Sequence, residues 1–147
     1  MGNEVLNARD IMVTTVVTFQ EDADIFEAID VLIRRGISGG PVVDGDGQLV
    51  GILSEKDCLS LLASGTFHEL PHTAVGHYMS ANVLTVAPER DIYYLASLFL
   101  KHVYRRLPVV EGGKLVGIVA RRDVLVGIER MRREGAAKRY PDYRRPS

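Results

Sequence analysis

Apolar positions along this chain follow two periods in turn, and the order of those periods repeats. Val13 to Thr18 is largely β-branched and predicts a short strand or extended segment. Beyond it, Ile25, Ala28, Ile29, Leu32 and Ile33 fall at i, i+3, i+4, i+7 and i+8, which is one face of a helix. Asp24 and Glu27 have the spacing of a helix N-cap and its reciprocal partner, and Gly36 is placed to stop the helix. Pro41-Val42-Val43 then predicts a strand, Asp44-Gly45-Asp46-Gly47 a tight turn, and Gln48 to Leu53 the returning strand. A second helix is expected from near Ser54.

The same order comes round again. Met12 to Val43 maps onto Met79 to Val110 at an offset of 67 residues. The second hairpin turn is one residue shorter, so Leu49-Val50-Gly51-Ile52 returns as Leu115-Val116-Gly117-Ile118 at an offset of 66. The second helical stripe is Ile92, Leu95, Ala96, Phe99 and Leu100, with Pro88 and Glu89 expected at its start. Val103 replaces Gly36, so this helix must stop by other means. Glu111-Gly112-Gly113 turns between Pro108-Val109-Val110 and Lys114 to Val119, and a last helix is expected near Ala120. Each copy carries an aspartate six positions after its hairpin glycine, Asp57 and Asp123. The pattern predicts an α/β fold of two strand-helix-strand-strand-helix repeats, residues 8–62 and 74–131, each too small to bury a core alone. Two such units packed together leave a seam for a ligand, which favours a binding module over an enzyme. Between them, the polar stretch Ser64 to His77 reads as a linker with a short turn of helix, its bounds set at 63–73.

Composition narrows the class. The 147 residues are 46% hydrophobic and 25% charged, as in an ordinary globular protein. No apolar run reaches the roughly 18 residues of a membrane span, and Met1 to Asp10 lacks the apolar stretch of a secretory signal. A single cysteine, Cys58, forbids an internal disulfide and fits the cytoplasm. The net charge of −1 conceals an asymmetry: Glu129 to Ser147 carries seven basic and three acidic residues, a net +4, against −5 for the remainder. The stretch 132–147 therefore reads as a basic, solvated and partly disordered tail, or as a contact for a polyanion. His68 and His72 have i, i+4 spacing, with His77 and Glu69 nearby, but Pro71 interrupts a helix there and no metal site is expected. No nucleophile–histidine–acid order and no phosphate-binding fingerprint is present, so no catalysis is expected.

The Pro-Val-Val strand, the hairpin, Leu-Val-Gly-Ile and the segment opening the last helix, twice in order, resemble the CBS domain, a family named for cystathionine β-synthase. The resemblance implies a stand-alone pair packed as a pseudo-twofold disc (a Bateman module), commonly a homodimer. It also implies clefts for AMP, ADP, ATP, S-adenosylmethionine or NAD as regulatory ligands, with magnesium only alongside ATP and no other cofactor. The family's ribose-binding motif, Gly-x-x-Ser/Thr-x-x-Asp/Asn, is matched by Gly51-Ile52-Leu53-Ser54-Glu55-Lys56-Asp57. A carboxylate can accept from both ribose hydroxyls, a helix N-terminus favours phosphate, and Lys56 adds a point charge. Ser54 and Asp57 equally match a plain capping box, and capping and binding can coexist.

The second copy departs from the motif. Asp123 is kept, Ala120 has no hydroxyl, and Arg121 and Arg122 add positive charge; either a polyphosphate is favoured there or adenosine binding is lost. By resemblance, the Asp57 cleft draws Val83, Leu84 and Tyr104 toward adenine, and the Asp123 cleft draws Val16, Val17, Ile37 and Ser38. The valines and Leu84 are equally explained as core. Arg105 and Arg106 stand where the family turns basic residues toward phosphates, or they form surface ion pairs. The function implied is a regulatory adenine-nucleotide module that senses its ligand and modulates an effector protein or its own assembly. The alternative is a ligand-free dimerisation scaffold. Nucleic-acid binding through Arg130, Arg132, Arg133, Lys138, Arg139, Arg144 and Arg145 lacks a recognition motif and is not expected, and neither is membrane association.

Overall fold

Alternating helical and strand periods produce alternating elements in the computed structural model, which describes residues 5–63 and 73–139. In order these are α1 (Ala8–Ile11), β1 (Phe19–Gln20), α2 (Ile25–Arg35), β2 (Gly39–Val43), β3 (Leu49–Ser54) and α3 (Glu55–Ala63). A 3-10 turn at Val75–His77 follows, then α4 (Ile92–Lys101), β4 (Arg106–Glu111), β5 (Lys114–Ala120) and α5 (Arg121–Arg139). The expected α/β order is therefore present twice. His68 and His72, with most of the linker, lie outside the described residues, and no described helix is long and apolar enough to cross a membrane.

Local chemistry sets the helix ends. The Asp24 carboxylate accepts from Phe26 N–H at 3.0 Å, one position short of Glu27. Gly36, at φ 62°, closes α2 by donating to the Leu32 and Ile33 carbonyls, a left-handed conformation suited to glycine. α4 begins later than Pro88-Glu89: its N-cap is Asp91, which accepts from Tyr94 N–H at 2.9 Å. The proline and glutamate serve α1 instead, Pro88 carbonyl accepting from Arg9 N–H at 2.9 Å and Glu89 pairing with the Arg9 guanidinium at 3.2 Å. Without a glycine, α4 ends as His102 turns to extended backbone while its N–H still donates to Leu98.

The two helical stripes are narrower than their spacing suggests. In α2 Ile25, Ala28 and Leu32 are buried; in α4 Ile92 and Leu95 are buried, and Leu98, outside the expected stripe, is buried in place of Phe99, which is half-buried. The last residue of each stripe is not buried: Ile33 is 73% exposed and Leu100 87%. At about 100° per residue, position i+8 lies about 80° round from the first residue, on the side opposite i+3, and there it leaves the buried face.

β1 runs parallel to β2 (Phe19 opposite Val42) and β2 antiparallel to β3 (Val42 opposite Gly51), giving a three-stranded sheet. β4 and β5 form a two-stranded sheet, flanked by a parallel bridge between Val86 and Val109, the counterparts of Phe19 and Val42. The first hairpin turn is held by the Asp44 carboxylate, accepting from Asp46 and Gln48 N–H at 2.9 and 3.0 Å. The shorter second turn places Gly112 and Gly113 at φ 59° and 83°, the two left-handed residues that a two-residue hairpin turn requires.

Val13 to Thr18 does not form one strand. Val13 bridges to Ile118, Phe19 pairs in β1, and the residues between them carry no ladder. The reason is that the two ends pair with strands of different repeats. Contacts accordingly divide the chain into one unit of Thr15–Leu84 with Val110–Leu115, and another of Met1–Thr14, Thr85–Val109 and Val116–Ser147. The first unit centres on Phe19, Ile25, Ala28, Leu32, Val42, Leu53, Leu61 and Val75. Buried in the other are Leu6, Ala8, Val86, Ile92, Leu95, Leu98, Leu107, Val109, Val119 and Val124.

Each unit thus includes the lead-in to the other repeat. In one, Ser80 and Ile52 exchange both backbone hydrogen bonds, each at 2.9 Å; in the other, Val13 and Ile118 do so at 2.8 and 2.9 Å. Beside these bridges, Met79 lies over Gly51 and Met12 over Gly117. A Cβ on either glycine would stand 2.6 Å from the methionine sulfur, and 2.9 Å from the Ser80 carbonyl or 3.0 Å from that of Val13. Thioethers can move, but the paired backbone cannot, so these positions require glycine.

α5 is 19 residues long against nine for α3. The stretch expected as a partly disordered tail therefore continues as helix to Arg139, with Glu129 accepting from Arg132 and Arg133. These guanidiniums hold the Glu129 carboxyl below its usual range. Tyr140, Tyr143, Arg144 and Arg145 lie outside the described residues.

Gly51→Ala and Gly117→Ala are each expected to cost about 1–3 kcal/mol in urea unfolding. Gly45→Ala, with open space around the site and no left-handed φ, should cost less than about 0.5 kcal/mol. Ala120→Ser, which restores a side-chain acceptor at the start of α5, should raise stability by about 0.5–1 kcal/mol in the same assay.

Candidate functional site

β3 runs directly into α3, which makes Ser54 the N-cap and puts Glu55, Lys56 and Asp57 in the first turn. Asp57 N–H donates to Ser54 Oγ at 3.1 Å, and Ser54 N–H donates to Asp57 Oδ2 at 2.9 Å, a reciprocal capping box. The Ser38 carbonyl accepts from Glu55 N–H at 2.9 Å, bringing the residue before β2 to the same helix end. The other carboxylate oxygen, Asp57 Oδ1, accepts from the Ser80 hydroxyl at 3.3 Å. Capping thus occupies one oxygen of Asp57 and leaves the second turned to a serine on the exposed lead-in segment. Ser54 and Asp57 are half-buried, and Glu55 and Lys56 are exposed.

Ser80 was not legible as a site residue. The signal was available in the repeat: Ser80 is the counterpart of Val13, and both pair with the isoleucine after the hairpin glycine.

The other unit builds a plainer version. Ala120 N–H donates to Asp123 Oδ2 at 2.7 Å, but Ala120 returns no side-chain acceptor, and Val13 stands where Ser80 does in the first copy. Asp123 is half-buried while Arg121 and Arg122 are exposed, neither side chain forming an ion pair among the described residues. Tyr104, 39% exposed, lies 5.5 Å ring to ring from His102 in this unit. Arg105 is exposed and Arg106 half-buried, also here.

Val83 and Leu84, partly buried, follow Ser80 in the Asp57 unit. Val16, Val17, Ile37 and Ser38 belong to that unit too, and Val17 and Ile37 pack on its core. Burial pushes the Cys58 thiol up, with the charges of Asp57 and Glu55 adding to the shift, which disfavours the thiolate. Among the described residues no three histidine, cysteine, aspartate or glutamate side chains gather as a metal site.

A family model described as CBS domain matches residues 8–64 and 75–130, one match on each repeat. The uncharacterized protein MJ1225 of Methanocaldococcus jannaschii is 31% identical over 117 residues, which cover 80% of this chain and 41% of that protein. The crystal structure of CBSX2 in complex with AMP, a CBS-pair protein from Arabidopsis thaliana, superposes with a TM-score of 0.75 at 29% identity, covering 86% of this chain and 98% of that one. The CBS domain pair of protein MJ0100, in complex with 5′-methylthioadenosine and S-adenosyl-L-methionine, gives a TM-score of 0.70 at 28% identity, covering 86% and 99%. The doubled pattern of strand, helix and hairpin, each copy ending in an aspartate at a helix start, is that of two CBS domains in tandem, and the chain belongs to the CBS domain family.

Proposed function

We propose that this CBS pair is a regulatory module that binds an adenine nucleotide or related adenosyl ligand and transmits its occupancy to an effector protein or to its own assembly. The observation that carries this reading is the state of Asp57. One oxygen is fixed by the Ser54 amide, and the other faces a serine hydroxyl at 3.3 Å on a partly exposed surface. A carboxylate so oriented is ready to accept from vicinal ribose hydroxyls, and the positive end of the α3 dipole suits a phosphate. Support comes from CBSX2, whose structure holds AMP, and from MJ0100, which holds adenosyl compounds.

In this reading Ser54, Lys56, Asp57 and Ser80 contact ribose and phosphate, while Val83 and Leu84 of the same unit receive adenine. Asp123, with Arg121 and Arg122, takes the second ligand. Magnesium enters only with ATP. Regulation is linkage: a ligand that binds one arrangement of the chain better than another shifts the population between them by its difference in affinity. The site of action is the cytoplasm, as the single cysteine suggests.

Homodimerisation has its own support. Leu59 and Leu62 on α3 are each 66% exposed, and their repeat counterparts Leu125 and Ile128 on α5 are 63% and 48% exposed. Matched apolar pairs on two helices are suited to covering by a second copy. They also favour the rival reading, a scaffold that dimerises without a ligand.

Calorimetric titration of nucleotide-free protein with AMP, ADP, ATP, S-adenosylmethionine and NAD separates the two. Saturable binding of at least one ligand is expected, with Asp57→Ala weakening its site by about 10- to 100-fold while circular dichroism shows a folded protein. No binding of any of the five would leave the scaffold. Leu59→Lys combined with Leu125→Lys is expected to shift sedimentation from dimer to monomer; an unchanged dimer would place the interface elsewhere.

A further inference from the structure

The two aspartates occupy equivalent positions, but four residues around them have diverged. Ser54 corresponds to Ala120, Glu55 to Arg121, Lys56 to Arg122, and Ser80 to Val13. Around Asp57 the helix start carries one negative and one positive side chain, which offset each other, and two hydroxyls lie within hydrogen-bond reach of its carboxylate and amide. Around Asp123 the same positions carry two positive side chains, a methyl group and an isopropyl group.

We infer that the two sites divide the adenosine class between them: Asp57 takes a nucleoside or monophosphate, read mainly through its ribose, and Asp123 takes a polyphosphate, read mainly through its charge. This rests on the adenosyl-ligand reading above and adds a chemical class to each site.

At Asp57, Oδ1 and the Ser80 hydroxyl form a polar pair at 3.3 Å that a ribose hydroxyl can join, since the serine oxygen still has lone pairs to accept with. Glu55, exposed in the first turn, stabilises the helix dipole and opposes each further phosphate charge on a ligand there. At Asp123 the hydroxyl partner is missing, so ribose recognition falls to the carboxylate alone. Arg121 and Arg122 are exposed, and with no ion pair among the described residues their forks are available to phosphate oxygens. Ala120 leaves the Asp123 amide without the serine acceptor that Asp57 N–H has, so this helix start keeps an extra donor for an anion. Every difference moves discrimination from sugar to phosphate.

The test uses the full chain with one site disabled at a time, Asp123→Ala to isolate the first site and Asp57→Ala to isolate the second. Asparagine replaces alanine if either variant unfolds. Each protein is titrated with adenosine, AMP and ATP at low and high salt. With only the Asp57 site intact, the three ligands should bind within about threefold of one another and respond weakly to salt. With only the Asp123 site intact, ATP should bind at least about tenfold more tightly than adenosine, and this preference should shrink at high salt. Arg121→Glu with Arg122→Lys, which transplants the first site's charges, should erase that preference. The same ATP-to-adenosine ratio in both single-site proteins would overturn the division while leaving adenosyl binding intact. Failure of both proteins to bind any of the three, where the unaltered chain also binds none, would sink the underlying reading and this inference with it.

Discussion

Two glycines with a methionine lying across each are the constraint on which the rest of this structure depends. The strand after each hairpin must let another stretch of backbone pair against it, and only a residue without Cβ leaves room. Met79 with Ser80 uses the space over Gly51, and Met12 with Val13 uses that over Gly117. Because each lead-in belongs in sequence to the other repeat, every compact unit contains chain from both copies. A repeat is thus unable to complete its own unit, which is the physical reason for finding two of them in one chain.

The candidate site follows from that exchange. Pairing Ser80 with Ile52 sets the serine hydroxyl 3.3 Å from Asp57, which the start of α3 has already oriented through Ser54. The cap and the Ser80 hydroxyl therefore engage different oxygens of one carboxylate. Capping makes the site rigid, and rigidity reduces what a ligand must spend in ordering its partner groups. The second copy keeps the backbone geometry and changes the side chains around it.

Much of this could be read in advance, and the failures share a cause. Gly36, the hairpins and the starts of α3 and α5 were legible because turn and cap chemistry acts over a few residues. α4 was expected from Pro88-Glu89 because that pair looks like a helix start; in the fold both residues meet Arg9, about 80 positions away in sequence, and Asp91 makes the cap. Val13 to Thr18 has strand composition, but its ends pair with strands of different repeats, which composition does not encode. Ser80 was overlooked for the same reason: its importance comes from a partner 23 residues away. The basic stretch after Met131 resembled disorder by composition, yet its first residues extend α5, where Glu129 pairs with the arginines three and four positions on.

The central claim is that a nucleotide meets this chain at the start of α3 and at Ser80. Amide chemical-shift mapping of isotopically labelled, nucleotide-free protein during titration with AMP tests it most directly. The account requires the largest concerted shifts at Ser54, Glu55, Lys56, Asp57 and Ser80, saturating together with the calorimetric isotherm. Saturable binding whose shifts fall elsewhere and leave those five amides unmoved would contradict it.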